Sequence, residues 1–322
     1  MVSKDKPGVP RLTEPRYSTR DRRVWITYPD LDLPGLLHGI VVFKELRPGL
    51  PHEQWTQAVR AHLMHDSPIA GMPLVIPHQV HGAKIATISD GGPLSRGGNL
   101  VRSESSKPGE SLSPEAACMR GDRSGYSESF LAQELPCVET GERRDETLSI
   151  DPPPERDPMV DGLVTDLSGI AIAVSVADCL PLLAFNPESS VVGVAHCGWR
   201  SIAGGIVEEF VRSLEGVSRD AGNTRFVIGA GIGECCYQVR DDLLSEFTPD
   251  EVRRFSVVGA GAAKFDLKGT VAARLACCGI APTDISIDKT CTSCKKDLLS
   301  SYRADRPDCG RMVAFMALAG RE

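Results

Sequence analysis

The sequence lacks long hydrophobic runs, and this absence excludes one class of protein. No stretch of 18 apolar residues occurs among the 322 residues, whereas a membrane-spanning helix needs about 20. Residues 1–23 also lack the apolar segment that a secretory signal requires. We therefore expect a cytoplasmic protein with no membrane partner.

Positive charge is also scarce. The chain has 36 Lys and Arg against 43 Asp and Glu, which gives a net charge of −7. Binding of nucleic acid needs clustered positive charge, and the most basic stretch, residues 16–23, is interrupted by Asp21. We therefore expect small-molecule partners and no nucleic acid.

The cysteines are numerous but odd in number, with eleven in a chain that shows no secretory signal. In a reducing compartment such thiols are core residues, metal ligands or nucleophiles rather than disulfides. The stretch "CTSC" (291–294) has the CxxC spacing, but no second CxxC accompanies it. A redox pair or half of a zinc site is an alternative here, and packing thiols are the favoured prediction.

The hydrophobic pattern predicts a mixed α/β protein. Residues 169–176, 180–185 and 191–196 are nearly continuous apolar runs, which is typical of strands buried on both faces. Residues 52–66 have the spacing of an amphipathic helix, and a second helix is predicted to start near Ser201. We therefore predict layered mixed sheets covered by helices.

The predicted domain organisation is simple. We expect an N-terminal extension (1–30) followed by one catalytic domain (31–322). Residues 91–157 are rich in Gly, Ser, Pro and charge, so this segment cannot bury enough apolar surface to offset its ordering entropy. We predict that it is a disordered insertion.

Three potential metal ligands lie at the ends of predicted strands: His81 in "HQVHG", Cys179 in "VADCLP" and His196 in "AHCGWR". Two imidazoles and a thiolate suit zinc, and three protein ligands leave one coordination position open, as in catalytic zinc sites. Spacing alone does not separate such a site from three packed or hydrogen-bonded side chains. His78, in the same loop as His81, is an alternative ligand.

The residues after His196 predict an anion site. The helix expected to start near Ser201 would present unpaired backbone N–H groups, and Arg200 would add a fork of donors. The glycine-rich "GAGIGECCYQV" (229–239) could allow a ligand to approach the backbone closely. The alternative is that these glycines only permit tight turns.

Six ordered motifs carry a resemblance to a known family: "QVHG", "DGLVTD", "ADCLPLL", "VGVAHCGWRS", "IGAGIGECCYQV" and "SYRADRPDCGRMVAF". Over residues 70–90 and 158–318 the chain resembles the YfiH-type laccase-domain proteins, which are described as purine nucleoside phosphorylases. The resemblance implies a zinc site of His81, Cys179 and His196 and a layered α/β fold similar to that of bacterial toxin deamidases. It also implies phosphorolysis of adenosine, inosine and 5′-methylthioadenosine to free base and a ribose 1-phosphate, with adenosine deamination at the same site.

The chain departs from the pattern of this family at several positions. Cys197 and Ser201 occupy variable places in "AHCGWRS", and Cys197 raises the question of a fourth zinc ligand, although adjacent residues rarely reach one metal. "SYRAD" keeps Arg303 but has Ala304 in place of an arginine. Arg47 is the remnant of a phosphate-binding arginine in a degraded N-terminal motif. Together, Arg47, Arg200 and Arg303 are the predicted phosphate-binding residues.

Three other functions are weighed against the phosphorylase. A copper-dependent polyphenol oxidase with a full multicopper centre needs about ten histidines, many in HxH pairs, and the chain has seven histidines and no HxH pair; copper at a simpler site stays open. A cysteine or zinc amidase acting on cell-wall precursors would use Cys179 as nucleophile and His196 as base. A purely structural zinc would need a fourth ligand, such as Cys197 or Cys235.

Overall fold

The computed structural model describes residues 9–20, 23–46, 50–63, 67–89, 146–149, 159–218, 223–259, 262–306 and 308–320. The strands are β1 Arg11–Thr13, β2 Arg16–Arg20, β3 Arg23–Thr27, β4 Leu36–Phe43, β5 Leu74–Val75, β6 Ile85–Ser89, β7 Glu146–Ser149, β8 Gly162–Thr165, β9 Ala171–Val176, β10 Leu180–Asn186, β11 Val191–Cys197, β12 Arg225–Ile228, β13 Gln238–Val239, β14 Ser256–Gly259, β15 Ala262–Phe265, β16 Ile285–Asp288 and β17 Arg311–Leu318. The α-helices are α1 His52–Leu63, α2 Trp199–Ala203, α3 Ile206–Ser218, α4 Asp241–Leu244, α5 Pro249–Phe255, α6 Leu267–Cys277 and α7 Tyr302–Asp305, with short 3₁₀ turns at Pro29–Leu31 and Pro282–Asp284.

Two large mixed sheets form the body of the fold. The first has eight strands in the order β1-β16-β12-β10-β11-β8-β6-β7, and the second has six in the order β2-β3-β4-β17-β9-β5. A small third sheet has the order β13-β15-β14. The long apolar strands β10 and β11 lie in the middle of the first sheet and are buried along their whole length, as expected for strands covered on both faces.

Three hydrophobic cores hold these layers together. One lies between the two large sheets and includes Ile172, Leu183 and Val192. A second lies between the eight-stranded sheet and helices α3 and α6, and a third lies between the six-stranded sheet and α1. The order of layers is therefore helix, sheet, sheet, helix, which confirms the predicted layered α/β fold.

Helix α3 approaches the sheet closely because strand β11 has a glycine where it crosses. A Cβ atom at Gly193 would lie 2.7 Å from the ring of Phe210, which is fully buried. Such a contact is too short, so a side chain here would push the helix away. Burying a ring of this size contributes about 1.5–3 kcal/mol, and Gly193 preserves that contribution.

The single helix predicted from Ser201 is wrong in detail. The chain instead forms a five-residue α2 from Trp199 and a longer α3 from Ile206. The two are separated at Gly204 and Gly205, and Gly205 has a φ of +88°. A right-handed helix cannot continue through a left-handed residue, so the pair of glycines ends α2.

The predicted N-terminal extension (1–30) contributes strands to both large sheets where the chain is described. Strand β1 pairs with β16 in the eight-stranded sheet, and β3 pairs with β4 in the six-stranded sheet. Trp25 and Ile26 of β3 are buried in two different cores because side chains alternate along a strand. Residues 11–27 are therefore part of the domain.

The predicted insertion (91–157) falls mostly outside the described residues. Within it, the chain forms strand β7, which pairs in parallel with β6 at the end of the eight-stranded sheet. Among the helices in the described parts of the chain, none has the length and apolar character needed to cross a bilayer.

Candidate active site

Four neighbouring strands bring the predicted ligands to one edge of the eight-stranded sheet. Their order is β10, β11, β8, β6. Since β11 is antiparallel to both β10 and β8, and β6 is parallel to β8, the start of β10, the end of β11, the start of β8 and the start of β6 meet. These positions present Cys179, His196, Asp161 and His81. The structure therefore brings the three residues selected from the sequence to one edge of the sheet.

Asp161 is the buried centre of this site, and the sequence argument did not single it out. One carboxylate oxygen accepts hydrogen bonds from the backbone N–H of His81 (2.9 Å) and lies 3.3 Å from Nδ1 of His196. The other accepts from the backbone N–H of Gly82 at 2.7 Å. Asp161 is the first aspartate of the motif "DGLVTD", but nothing in the local sequence indicates that its carboxylate contacts both the His81 loop and His196.

His196 and Cys179 interact electrostatically. The side chain of His196 is 3% exposed, and burial lowers its pKa. The charge of Cys179 and hydrogen bonds with Asp161 and Cys179 outweigh this effect and raise the pKa of His196 to about 9.

His81 completes the group from a loop held in an unusual conformation. Its ring lies 4.9 Å from that of His196, with the two planes at 89°. Partial burial and the charge of His196 lower its pKa. Its φ of 57° is rare for a non-glycine residue. Gln79 anchors the loop through paired 2.8 Å hydrogen bonds with the backbone of Ser175 on β9.

Asp178, next to Cys179, is the second residue of the site with a positive φ, at 82°. Its carboxylate accepts hydrogen bonds from the hydroxyls of Thr292 (2.6 Å) and Ser301 (2.7 Å), and from the backbone N–H of Arg303 (2.5 Å). Left-handed residues of this kind persist only where the surroundings hold them, and they cluster at functional sites. Asp178 thereby ties Cys179 to two distant loops.

The group faces two adjoining cavities. A cleft of about 480 Å³ is lined by His52, Trp55 and His78 as well as by His81, Cys179 and His196. A smaller pocket of about 230 Å³ lies on the other side of Cys179 and is lined by Arg200, Arg303, Arg306 and Tyr237. His78 stacks on His52 with ring centres 4.5 Å apart, so it belongs to the wall of the cleft.

The predicted phosphate-binding arginines have different outcomes. Arg200 and Arg303 both line the smaller pocket. Arg200 lies over the ring of Trp199, 4.2 Å from its centre, and Arg303 donates a 3.0 Å hydrogen bond to the carbonyl of Cys236. Arg306, which the sequence argument did not select, lines the same pocket. Arg47 lies outside the described residues.

The anion site predicted at a helix N-terminus does not follow from this fold. Helix α2 has only five residues, and its first residue is Trp199 rather than Ser201. The dipole of so short a helix is small, because it sums over few peptide units. The positive charge of the smaller pocket therefore comes from its arginine side chains.

Cys197 is excluded as a fourth ligand by the geometry of β11. Adjacent residues on a strand point to opposite faces, so Cys197 points into the core between the sheet and the helices, where it is fully buried. Burial also raises the pKa of its thiol well above the ordinary value, which disfavours the thiolate that a metal needs.

The donor chemistry of His81, Cys179 and His196 suits a metal ion, although within the described residues their three ligand atoms are not gathered within 4.8 Å of one another. Asp161 accepts at Nδ1 of His196 and leaves Nε2 for a metal, the usual arrangement of a carboxylate behind a histidine ligand. A Cβ atom at Gly198 would lie 3.1 Å from Sγ of Cys179 and 3.7 Å from Nε2 of His196, so the glycine keeps this space open. Two imidazoles and a thiolate suit zinc, and imidazole also suits copper.

A second group of potential ligands lies nearby. Ligand atoms of Cys235, Cys236, Cys291 and Cys294 all lie within 4.8 Å of one another. The prediction that the "CTSC" thiols pack in the core is wrong for Cys294, which is exposed. Burial raises the pKa of Cys291, but hydrogen bonds from the backbone at Gly233 and Cys294 outweigh it and lower that pKa. Cys235 belongs to this group and not to the site of His196.

A comparison with known families identifies the chain. The model of the multi-copper polyphenol oxidoreductase laccase family matches residues 137–319, which is more than half of the chain. The chain belongs to this family. The resemblance seen in the six sequence motifs is thereby confirmed. The family name refers to a multicopper enzyme, but seven histidines without an HxH pair cannot form a full multicopper centre.

Individual relatives of this laccase-family chain carry nucleoside-related names. It is 37% identical over 164 residues to purine nucleoside phosphorylase YlmD of Geobacillus stearothermophilus, covering 49% of the chain and 60% of that protein. It is 28% identical over 156 residues to adenosine deaminase RL5 of an unknown prokaryotic organism, covering 47% of the chain and 60% of that protein. The chain thus spans about 60% of the length of each of these two relatives.

The fold of the family is also found by structural comparison. The crystal structure of YlmD from Geobacillus stearothermophilus superimposes with a TM-score of 0.62, covering 94% of this chain and 99% of that chain at 22% identity. At this identity the likeness shows that the two chains share a fold.

Proposed function

We propose that the chain is a zinc-dependent purine nucleoside phosphorylase with adenosine deaminase side activity. Its substrates would be adenosine, inosine and 5′-methylthioadenosine, which phosphate would cleave to free base and a ribose 1-phosphate. The observation that carries the proposal is the position of one donor set, His81, Cys179 and His196, between an aromatic cleft and an arginine-lined pocket. The names of the two relatives support both activities.

The larger cleft suits a purine base. Its wall contains the stacked rings of His52 and His78 and the buried indole of Trp55. Aromatic faces bind purines by stacking, which contributes about 1–3 kcal/mol per base. A volume of about 480 Å³ is also within the range of small-ligand sites.

The smaller pocket suits phosphate. Guanidinium groups bind phosphate oxygens through paired, charge-assisted hydrogen bonds, and Arg200, Arg303 and Arg306 line this pocket together. In phosphorolysis a phosphate oxygen forms a bond to C1′ of the ribose while the bond from C1′ to the base nitrogen breaks, and the departing base accepts a proton. Because the two cavities share His81 and Cys179, both reactants would meet there.

The metal-binding residues have separate tasks in this proposal. Zinc bound by His81, Cys179 and His196 would supply a Lewis acid that polarises substrate and activates water for deamination. Asp161 would keep Nε2 of His196 directed toward the metal through its contact with Nδ1. Asp178 would hold Cys179 in place through its three hydrogen bonds.

The first experiment measures release of free base from inosine and adenosine, with and without phosphate, on protein of known metal content. The proposal expects release that depends on phosphate, and loss of both activity and one equivalent of zinc in Cys179→Ala. Arg303→Ala should raise KM for phosphate about tenfold or more, as expected for loss of a charge-assisted contact worth about 1.5–3 kcal/mol. Arg253→Ala, an exposed arginine far along the chain, is the matched control.

Three results would contradict the proposal. Base release that is independent of phosphate would indicate a hydrolase. Zinc-loaded protein that processes none of the three nucleosides would remove the phosphorylase assignment altogether, and an active Cys179→Ala variant with full zinc content would remove the ligand assignment.

A cysteine amidase is the second candidate, because one observation favours it. Nδ1 of His196 lies 3.3 Å from Asp161, and the charge of Cys179 raises the pKa of His196. This is the order of a thiol nucleophile, its base and an orienting carboxylate. Zinc on Cys179 would block this chemistry. Alkylation by iodoacetamide separates the two: a metal-bound thiolate resists it until a chelator is added, whereas a free nucleophile reacts at once.

A further inference from the structure

A compact group of four sulfur atoms lies outside the candidate active site. Cys235 and Cys236 belong to the turn after β12, and Cys291 and Cys294 belong to the turn after β16. Sγ of Cys294 is 3.5 Å from Sγ of Cys235 and 3.4 Å from Sγ of Cys236. All four ligand atoms lie within 4.8 Å of one another.

These distances match a tetrahedral metal site. Zinc binds thiolates at about 2.3 Å, so the sulfurs of a four-thiolate site are separated by about 3.8 Å. We infer that Cys235, Cys236, Cys291 and Cys294 bind one structural zinc ion, separate from any metal at His81, Cys179 and His196. Cys235 and Cys236 are adjacent, but they lie in a turn rather than a strand, and the sulfurs of both lie within 3.5 Å of Sγ of Cys294. Four protein ligands close the coordination sphere, which is the mark of a structural site.

The backbone holds both turns in position for such a site. Strands β12 and β16 are parallel neighbours, so the turns leave the sheet side by side. The N–H of Thr292 donates to the carbonyl of Gly231 at 3.1 Å, and the N–H of Cys236 donates to the carbonyl of Gly233 at 3.0 Å. The thiols are therefore gathered by ordered backbone, which reduces the entropy lost when a metal binds.

A buried positive charge lies beside the group. Four thiolates around zinc carry a net charge of −2, which is costly to hold near a protein interior without compensation. Lys268 is 4% exposed, and its ammonium donates to the carbonyls of Asp288 and Thr290. Its charge interacts with those of Cys291 and Cys235. An ammonium so placed offsets part of the negative charge.

The position of the cysteines gives this zinc a structural role for the active site. Thr292, next to Cys291, donates to the carboxylate of Asp178, and the carbonyl of Cys236 accepts from the guanidinium of Arg303. Tyr237, next to Cys236, lines the arginine pocket. A metal that fixes the two turns would therefore also fix the wall of that pocket.

Two other states of the same four residues are outcomes of the test. A disulfide would join them in pairs, with a sulfur–sulfur bond of about 2.05 Å, and would leave no thiolate to bind metal. Four thiolates can also hold an iron–sulfur cluster. Metal analysis together with mass spectrometry under non-reducing conditions distinguishes the four states: free thiols, disulfides, bound zinc and bound iron.

The decisive experiment counts metal ions in full-length protein purified with a reductant. The variant Cys179→Ala/His196→Ala removes the other site, so it should retain one zinc ion per chain, and adding Cys294→Ser should remove that ion. Cys294 is exposed, so its substitution should not prevent folding. Cys278→Ser, a cysteine at the end of α6 and outside both groups, is the matched control and should keep the zinc.

Cobalt replacement gives a second readout that does not depend on activity. Cobalt bound to four thiolates absorbs strongly in the near ultraviolet and visible, and these bands should shift in Cys294→Ser and stay unchanged in Cys179→Ala. Zinc content or cobalt spectra unaffected by Cys294→Ser would overturn the inference. So would iron in place of zinc, or a mass lower by two hydrogens for each disulfide formed. Because the counting uses protein without the His196 site, failure of the proposed function leaves this result interpretable.

Discussion

Two groups of potential metal ligands lie along one edge of the eight-stranded sheet, and they differ in chemistry and surroundings. One gathers His81, Cys179 and His196 from strands β6, β10 and β11 around the buried Asp161. The other gathers four cysteines from the turns after β12 and β16, the next two strands along the same sheet. The first faces a cleft of about 480 Å³, whereas the second lies between two turns.

The number and type of ligands in each group would decide whether its metal site is catalytic or structural. A set of three mixed ligands leaves a coordination position for substrate, and a carboxylate behind one of them tunes it. A set of four thiolates leaves no such position and serves to cross-link the chain. Both are built from strand ends, so the distinction depends on ligand number and on the neighbouring cavity.

The largest effect should come from Asp161, which has no counterpart in the cysteine group. Asp161→Asn replaces a carboxylate that accepts from two backbone N–H groups and orients His196. We expect metal affinity at this site to fall about 10- to 100-fold, with a parallel loss of kcat/KM. Zinc at the four cysteines should be unaffected. Competition titration with a zinc chelator measures both sites.

Asp166→Asn is the matched control for that variant. Asp166 lies in the same "DGLVTD" stretch but is exposed, so it should retain wild-type affinity. If Asp161→Asn binds zinc as tightly as wild type, Asp161 does not orient the ligand, and the contrast between the two groups loses its main support.

An intermediate effect should appear in the pH dependence of metal-free protein. The pKa of His196 is raised from 6.5 to about 9 in the folded state. A raised pKa means that the stabilising contribution is fully present below pH 6.5 and is lost as pH rises from 6.5 through about 9. Cys179→Ala removes the largest cause of the increase, so its stability should fall less over this range.

Urea denaturation at a series of pH values from 6 to about 10, with chelator present, measures this difference. The chelator also removes any zinc from the four cysteines in both proteins. The difference in stability between the two proteins therefore reports only the effect of Cys179. Equal losses of stability in the two proteins would mean that the charge of Cys179 does not raise the pKa of His196.

The smallest effect concerns the link between the two groups. Thr292→Val preserves the shape of a fully buried side chain but removes its 2.6 Å hydrogen bond to Asp178. Ser301 and the backbone of Arg303 still donate to that carboxylate, so we expect a loss of about 1–2 kcal/mol in unfolding free energy and a reduction in kcat of a few-fold. Thr290→Val, a threonine two residues before it, is the control.

Steady-state kinetics and thermal unfolding measure both quantities for the two threonine variants. A change in kcat without a change in zinc content would mean that the contact acts on Asp178 directly. If Thr292→Val and Thr290→Val behaved alike, the turn of Cys291 would not be coupled to Cys179 through this bond.

Much of the candidate site could be predicted from sequence because its ligands follow apolar runs. Strand ends are local features, so His81, Cys179 and His196 were identified from the runs beside them. Asp161 was missed because its role requires a loop with a left-handed His81 to fold onto it. The choice between His196 and Cys197 was open in the sequence, although strand alternation settles it once β11 is known to extend to Cys197.

The cysteine group shows the same limit more sharply. The CxxC spacing of Cys291 and Cys294 was visible, but its partners, Cys235 and Cys236, lie more than 50 residues earlier in the sequence. Only the parallel pairing of β12 with β16 brings the two turns together. A single CxxC pair in a sequence therefore does not predict a four-thiolate site until the order of the strands is known.

The sequence by itself determined the layered α/β fold, the strand ends that carry ligands, and the family to which the chain belongs. These follow from local hydrophobic period and from short motifs, which do not depend on distant residues. Tertiary structure alone decided that residues 81, 161, 179 and 196 share one edge, that the arginines line a separate pocket, and that four cysteines meet. The physical reason is that strand order and direction are set by the packing of whole layers, and no local pattern encodes them.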